Sequence, residues 1–493
     1  MQQLFIVKCT RVLRQLFINR QVTRTTCLQQ MKSLFFKLFF LTLLAFCLGI
    51  CAKNFGMNAS QALSISIFSA SILGTLFFWD FRLSFAFIGT SILLMTKTID
   101  LEHVIEFSSL EVILFLVGMM VIIGLLKDCG VFAWIVSLIL RVPRLSGRKF
   151  ALFIAMISAL LACTIDEVTS IIFMVAAILE ICDYFEANPV PFVIISVLAT
   201  NIGSAATVLG NPIGILIASK SGLTFEDFIV KAFPLAVVCL LVTIAILLFW
   251  YRKSIKVLND QMKRLGANEI LIKLISVPPE KDLKVALSIF AVMLFFLSLH
   301  HRMEIAWGLP ANTVLLVVPL VASGLVMIWK HHKARKYIEK DVEWWTLLFF
   351  LLLFVQAGTL KYTGTTVFIA KHMLAATGNN LDFLISAVLW VSTIGSSILD
   401  NVVLVAAFIP VVQGFKSLNI NLQPLWWALL FGGCLGGNIT LIGSTANIVA
   451  IGIVEKEKRI KISFLTWFWV GLTVGLITSL IVMAALIFLP FYR

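Results

Sequence analysis

Charged residues are scarce in this sequence. Asp, Glu, Lys and Arg make up only 13% of its 493 residues, whereas hydrophobic residues make up 60%. A soluble fold is excluded, because a chain of this length cannot hide so much Phe, Leu and Ile from water. Apolar runs of about 20 residues, the length that an α-helix needs to cross a bilayer, recur from end to end. The sequence therefore predicts an all-α polytopic membrane protein.

Motifs for several kinds of chemistry are also missing. The nine cysteines lack CxxC spacing, which argues against a disulfide framework or a zinc site. The pairs His300–His301 and His331–His332 lie at a helix end and in a basic loop, so we expect no transition-metal site. Without a Walker motif, any pumping must use an ion gradient or a separate ATPase subunit. We expect no cofactor and no enzymatic activity.

The net charge of +14 is distributed in a pattern typical of membrane proteins. Lys and Arg cluster between apolar runs, at 8–37, 141–149, 252–284, 330–340 and 456–461. Such clusters mark cytoplasmic loops, whereas the acidic segment 100–111 is expected outside. This placement argues against nucleic acid as a partner. It predicts a bacterial cytoplasmic membrane protein with its N-terminus inside and its C-terminus outside.

The first 30 residues are basic and show no pattern. We interpret 1–30 as an N-terminal extension, and both Met1 and Met31 remain open as the start of the protein. The apolar run that follows Met31 is expected to be a retained signal anchor, which forms the first helix.

Threading the chain between its basic loops gives about 11 crossings. Helices are predicted near 34–52, 61–79, 82–97, 111–127, 229–250, 285–300, 311–329, 342–360 and 465–490. Re-entrant hairpins at 150–186 and 383–416, and broken helices at 190–218 and 425–454, complete the path. The domains are then a first repeat at 31–251, a cytoplasmic linker at 252–284 and a second repeat at 285–493.

The two repeats contain the same motifs in the same order. "TIDEVTSIIFMVAA" from Thr164 matches "SILDNVVLVAAFIP" from Ser397, and "NIGSAATVLGNP" from Asn201 matches "NITLIGSTAN" from Asn438. Because the positive-inside pattern gives them opposite sidedness, this is an inverted-topology repeat. Broken helices at corresponding places in such a repeat indicate the binding site of a secondary transporter.

Glycine, proline and asparagine at membrane depth explain why the helices are broken. Irregular backbone is tolerated there only where it is buried in protein or lines a polar cavity. A break exposes a positive helix N-terminus and carbonyl oxygens, and Pro212 prevents the helix from continuing. The candidate ion- and substrate-binding residues are Asp166, Glu167, Thr169, Asn201, Thr207, Gly210 and Asn211 in the first half, and Asp400, Asn401, Asn438, Gly443, Ser444, Thr445 and Asn447 in the second. If Na⁺ is the coupled ion, the same residues are expected to bind it.

These motifs resemble the ion-transporter superfamily, in its arsenite-permease, P-protein and citrate-transporter-like branch, with the bacterial Na⁺/H⁺ antiporters nearby. The similarity covers roughly residues 60–490, and "LDNVVLVAAFIP" and "GGNITLIGSTANIVAIG" are its most specific parts. The resemblance implies a homodimer with a scaffold and a transport region that moves as an elevator. It also implies ion sites built from hairpin tips and broken helices.

The first half departs from the family pattern. Relatives usually carry Asp-Asn-Val-Thr where this chain has Asp166-Glu167-Val168-Thr169, and Gly-Asp-Pro-Pro-Asn where it has 210–214, GNPIG. The second half keeps Asp400-Asn401 and the segment 443–447. Two neighbouring carboxyls in a poorly hydrated place do not both ionise easily. We therefore expect Glu167 to hold and release a proton during transport.

The function predicted is secondary active transport by alternating access. The substrate is a small inorganic or carboxylate anion, or an arsenite-like solute, coupled to H⁺ or Na⁺. Two half-sites are expected, one of Asp400, Asn401, Asn438 and Thr445 and one of Asp166, Thr169, Asn201 and Thr207. A Na⁺/H⁺ antiporter is the main alternative. A passive channel fits the broken helices less well, and an intramembrane aspartyl protease lacks its Gly-x-Gly-Asp motif.

Overall fold

A computed structural model of the chain describes residues 34–140, 145–264, 281–378 and 380–492. The extension 1–30, Met31 and parts of the basic segments 141–149 and 252–284 lie outside the described residues. Every regular element within these ranges is helical, so the predicted all-α fold is confirmed. By length and hydropathy, nine of the described helices can cross a membrane, or up to eleven if each of two bent pairs forms one span. This range includes the predicted number of about 11, but it counts hairpin helices such as Gly147–Thr164 and Leu381–Ile398 as spans, whereas the prediction counts the broken helices in their place.

The helices of the first half are α1 (Leu34–Asn54), α2 (Ala59–Phe77), α3 (Arg82–Met95), α4 (Leu101–Phe107), α5 (Leu110–Asp128), α6 (Val131–Leu140), α7 (Gly147–Thr164), α8 (Glu167–Tyr184), α9 (Val190–Gly203), α10 (Pro212–Ser221), α11 (Phe225–Trp250) and α12 (Arg252–Arg264). Those of the second half are α13 (Lys281–Ser298), α14 (His300–Trp307), α15 (Thr313–Trp329), α16 (Trp344–Tyr362), α17 (Thr365–Ala376), α18 (Leu381–Ile398), α19 (Asn401–Gly414), α20 (Gln423–Gly436), α21 (Thr445–Lys458) and α22 (Phe464–Phe488).

The described residues form two compact units, one up to Thr98 and the other from Ile99 onward. The first unit contains α1 to α3, and its helix α2 begins with a capping box in which Asn58 and Gln61 each bond the other's backbone N–H. The second unit contains every candidate site residue and, from α5 onward, all the matching parts of the two repeats.

Each half of the repeat uses the same five parts in order. A long helix (α5 or α16) and a short one (α6 or α17) precede a hairpin (α7–α8 or α18–α19), a broken helix (α9–α10 or α20–α21) and a last long helix (α11 or α22). With α5, the broken helix, α11, α13 and α15 as spans and the hairpin as re-entrant, the chain crosses five times between the starts of α5 and α16. The second half is therefore inverted relative to the first.

The hairpin tips are short because an aspartate caps the second helix of each hairpin. Asp166 Oδ1 accepts hydrogen bonds from the backbone N–H groups of Val168 and Thr169, both at 2.8 Å. Asp400 Oδ1 accepts one from Val402 N–H at 3.1 Å. A carboxylate at this position satisfies unpaired N–H groups and interacts favourably with the helix dipole. The aspartates in these motifs thus also build the turns.

Glycine allows each broken helix to lie against the first helix of its own hairpin. A Cβ on Gly203 would lie 2.3 Å from the carbonyl oxygen of Ala159, and one on Gly436 would lie 2.2 Å from that of Thr393. Both distances are too short for any side chain, so only glycine permits this approach of two helix backbones. After each break, a polar side chain caps the next half-helix: Asn211 accepts from Gly214 N–H at 2.9 Å, and Ser444 from Ala446 N–H at 3.2 Å.

These glycines also set the register between the halves. Gly203 and Gly436, which make equivalent contacts, are 233 positions apart, as are Gly210 and Gly443. The counterpart of Asn201 is therefore Cys434, and Asn438 corresponds to Ala205. The alignment of Asn201 with Asn438 made from the motifs is wrong by four positions, because both breaks begin near an Asn that stands on opposite sides of the anchoring glycine.

Candidate ion and substrate site

The two hairpin tips meet through a carboxylate and an amide. Glu167 and Asn401 are each the first residue of the second helix of their hairpin, and they are 2% and 0% exposed. Asn401 Nδ2 lies 3.2 Å from Glu167 Oε1 and 3.4 Å from Oε2, so the amide donates across both oxygens. The contact joins equivalent positions of the two halves, and the residues differ there in charge.

The start of α21, with its capping residue Ser444, completes this contact. Ser444 Oγ donates to Glu167 Oε1 at 3.5 Å, and Thr445 Oγ1 donates to Asp400 Oδ2 at 2.6 Å. Neighbouring residues at one half-helix start thus contact a carboxylate from each hairpin. In the described part of the chain, no Lys, Arg or His nitrogen lies within 4.0 Å of Asp166, Glu167 or Asp400.

Three asparagines join the two broken helices. Asn201 Nδ2 donates to Asn438 Oδ1 and to Asn447 Oδ1, both at 2.9 Å, and all three side chains are fully buried. Asn447 Nδ2 in turn donates to the carbonyls of Gly437 and Thr440, at 2.7 and 2.9 Å. Asn201 Oδ1 is buried and has no hydrogen-bond partner among the described residues. It is an oxygen acceptor available to a cation or to a donor on a substrate.

The predicted division into two half-sites is not what the structure contains. Asn201, assigned to the first half-site, bonds Asn438 and Asn447 of the second half instead of Asp166. Asp166 is half-buried and turns back to cap its own helix, while Glu167 faces Asn401. The expected pairing of two neighbouring carboxyls is therefore replaced by a carboxyl that faces the opposite hairpin, because adjacent residues at a helix start point in different directions.

The remaining candidates hold the breaks in place. Thr207 Oγ1 donates to the Cys163 carbonyl at the end of α7, and its counterpart Thr440 donates to the Ser397 carbonyl at 2.5 Å. A Cβ on Gly210 would lie 2.3 Å from the Ser204 carbonyl oxygen, and one on Gly443 would lie 2.8 Å from that of Ser396. The N–H group of Thr169 completes the cap of α8. Thr207, Thr440 and Gly443 thus hold the breaks against the hairpins, whereas Gly210 permits a close contact within its own break.

Three residues around the site, Ser204, Cys434 and Thr440, were missed from the sequence. Asn211, which was predicted, donates from Nδ2 to Ser204 Oγ at 3.0 Å and to Cys434 Sγ at 3.1 Å. Cys434 is therefore a hydrogen-bond acceptor in the site as well as a packing residue. Thr440 is the third. Its position relative to Gly443 matches that of Thr207 relative to Gly210, and the correct register would have identified it.

The donor set determines which chemistry is available. Carboxylate, amide and hydroxyl oxygens suit hard cations and protons, whereas transition metals prefer imidazole and thiolate. The polytopic fold, the inverted repeat and a buried polar site at two helix breaks define a multi-pass integral membrane transporter.

The chain belongs to the CitMHS citrate transporter family, whose family model matches residues 81–432. An uncharacterized transporter of Mycobacterium bovis is 33% identical over 350 residues, which cover 70% of this chain and 78% of that protein. The human P protein is 27% identical over 468 residues, covering 79% of this chain and 54% of that protein. The crystal structure of the Alcanivorax borkumensis YdaH transporter has the same fold, with a TM-score of 0.50 and 14% identity, over 76% of this chain and 84% of that one. The family, the mycobacterial relative and the solved structure are each named as transporters.

We expect Asn201→Ala to destabilise the protein by about 2–6 kcal/mol. The substitution leaves two buried acceptors, Asn438 Oδ1 and Asn447 Oδ1, without their donor, and each orphaned group costs roughly 1–3 kcal/mol. Thr200→Val is the matched control on the same helix, because Thr200 Oγ1 is buried and already lacks a partner among the described residues. Denaturant unfolding in detergent measures both. Equal stability of the two variants would contradict the bridging role of Asn201.

Proposed function

We propose that this protein is a secondary active transporter that works by alternating access and couples its substrate to H⁺ or Na⁺. The observation that carries the proposal is the Glu167 carboxyl, which is buried between the two hairpin tips and contacts only neutral donors. An intramembrane carboxyl without a cationic partner is costly, and such groups usually belong to ion or proton pathways. Protonation or a bound cation would neutralise it.

The substrate class that we favour is a small carboxylate or inorganic anion. Membership of the citrate transporter family supports this class, and an arsenite-like solute remains in the same proposal. The described contacts of the site include no cationic side chain, so an anion would depend on half-helix N-termini and on the coupled cation. Coupling then follows directly, because the anion binds well only when the cation is present.

Na⁺/H⁺ exchange is the second candidate, and the unpartnered Asn201 Oδ1 favours it. Together with Asp400 and Glu167 it gives the site oxygen acceptors in excess of donors. A cation alone can use these acceptors, without any anionic substrate.

Transport by purified protein in proteoliposomes distinguishes these functions. Uptake of labelled citrate, a smaller dicarboxylate and arsenite should be measured with an imposed Na⁺ gradient, with a pH gradient and with neither. Substrate accumulation that requires one of the cation gradients supports coupled anion transport. Na⁺-driven acidification or alkalinisation without any added anion supports the exchanger. If the vesicles accumulated none of these substrates under any gradient and were equally permeable to all of them, both proposals would be contradicted.

We further propose a homodimer in a bacterial cytoplasmic membrane, with the N-terminus inside and the C-terminus outside. The basic segments between spans support this orientation. In a cysteine-free background, we expect Arg148→Cys to react with a membrane-impermeant maleimide only from the cytoplasmic side and Ile420→Cys only from outside. Labelling of both positions from the same side would contradict the inverted arrangement of the hairpins.

A further inference from the structure

The helix α12 begins two residues after the end of the candidate span α11. Its buried side chains, Ile255, Leu258 and Met262, recur every three or four residues, while its cations are exposed. This is the pattern of an amphipathic helix in the interfacial plane. The part of the linker that follows α11 is therefore a packed element of the fold.

Contacts with the first hairpin fix α12 in place. A Cβ on Gly147, the first residue of α7, would lie 2.4 Å from the Ile255 carbonyl oxygen and 3.0 Å from the Asn259 nitrogen. At the other end of the hairpin, Gln261 Nε2 donates to the Glu186 carbonyl at 3.1 Å. Thus α12 contacts both ends of the hairpin whose tip carries Glu167.

An open groove of about 590 Å³ lies between α12, α7 and the end of α11. Its lining combines three cations, Arg148, Arg252 and Lys256, with an apolar wall at the end of α11 formed by Ala245, Leu248 and Phe249. Phe249 is 68% exposed, so the apolar wall continues the lipid-facing surface of the span.

The three cations of this groove have no acidic partner within 4.0 Å among the described residues. The Arg252 guanidinium lies 4.9 Å from the centre of the Phe249 ring, which places a positive charge beside the apolar wall. Three uncompensated positive charges next to lipid-facing surface complement a phosphate that is attached to an acyl chain.

We propose that this groove binds an anionic phospholipid. The phosphate headgroup contacts Arg148, Arg252 and Lys256, and the first part of an acyl chain lies along Leu248 and Phe249. Inorganic phosphate offers the same charge but leaves the apolar wall exposed, so it binds more weakly. Because α12 contacts both ends of the first hairpin, the bound lipid also stabilises that hairpin against unfolding.

Native mass spectrometry of the full-length protein in detergent tests this site, with phosphatidylglycerol as the probe and phosphatidylcholine for comparison. Each cation near an anionic lipid contributes roughly 1 kcal/mol, so Arg252→Gln/Lys256→Gln should weaken phosphatidylglycerol binding by about 10- to 30-fold. The control Lys253→Gln/Lys263→Gln removes the same charge from exposed positions of the same helix that do not line the groove, and it should change binding by less than about twofold. If the double variant does not fold, Arg148→Gln on α7 should weaken binding by about fivefold.

Three results would overturn the proposal: equal weakening in the test and control variants, equal binding of phosphatidylcholine, or displacement of the lipid by inorganic phosphate at similar concentration. The first indicates a general basic surface, the second an apolar groove without headgroup recognition, and the third a simple anion site.

Discussion

Replacing Glu167 by glutamine should make transport insensitive to the pH gradient while leaving the protein folded. Glutamine keeps the size of the side chain and an oxygen that accepts from Asn401 and Ser444, but it cannot release a proton. If Glu167 carries the coupled proton, the accumulation driven by an imposed pH gradient should fall about 5- to 150-fold, the usual range for coupling between two ligands. Uptake in proteoliposomes from pH 5.5 to 8.5 at fixed Na⁺ measures it.

Glu180→Gln is the matched control for this experiment. It makes the same chemical change on the same helix, α8, but at an exposed position. Its pH profile should coincide with that of the wild type. If the Glu167→Gln profile also coincided, Glu167 would have a structural role and the proton would be carried elsewhere.

Asp400→Asn should abolish cation-coupled transport. Asp400 is 6% exposed and contacts the backbone of its own hairpin and the Thr445 hydroxyl of the broken helix, so its charge lies where both elements converge. Asparagine keeps one oxygen to accept from Val402 N–H, and its amide N–H can donate to the Thr445 hydroxyl, so the charge is removed while both contacts can persist. Loss of a buried charge that pairs with a ligand ion typically costs 2–5 kcal/mol, which corresponds to roughly 30-fold or more in apparent cation affinity.

The control for Asp400 is Asp382→Asn, in the first turn of the same hairpin. This aspartate is half-buried but remote from the tip, so its substitution should leave the cation dependence unchanged. Thermal unfolding and size-exclusion chromatography of both variants separate a lost ion site from a lost fold. Normal Na⁺ and H⁺ dependence in Asp400→Asn would remove this residue from the site.

The spans, hairpins and breaks could be predicted because their causes are local. A run of apolar residues, a cluster of Lys or Arg and a proline at a half-helix start each act within a few residues of the chain. The hairpin predicted at 150–186 and the broken helix predicted at 425–454 coincide closely with Gly147–Tyr184 and Gln423–Lys458. The helices α6 and α17 were not predicted because they are only 10 and 12 residues long, too short for a hydropathy signal of a span.

The arrangement of the site could not be predicted, because it depends on contacts between the halves. The sequence places Glu167 beside Asp166, yet folding turns their carboxyls to different partners. Likewise, the motifs align Asn201 with Asn438, whereas the structure makes them hydrogen-bond partners at positions that are not equivalent. Motif identity therefore indicated which residues matter, and tertiary packing decided how they are grouped.

The contacts between the two halves also constrain how the protein is made. Asn201 finds its partners 237 and 246 residues later in the chain, and Glu167 finds Asn401 234 residues later. At about 5–20 residues per second, the ribosome needs roughly 10–50 s to synthesise that distance. During this interval the first hairpin and broken helix carry a carboxyl and an amide whose partners do not yet exist, and an unpaired polar group in hydrocarbon costs several kcal/mol. The first half therefore stays beside water or the insertion machinery until most of the second half has been synthesised, and only then can its polar groups be buried.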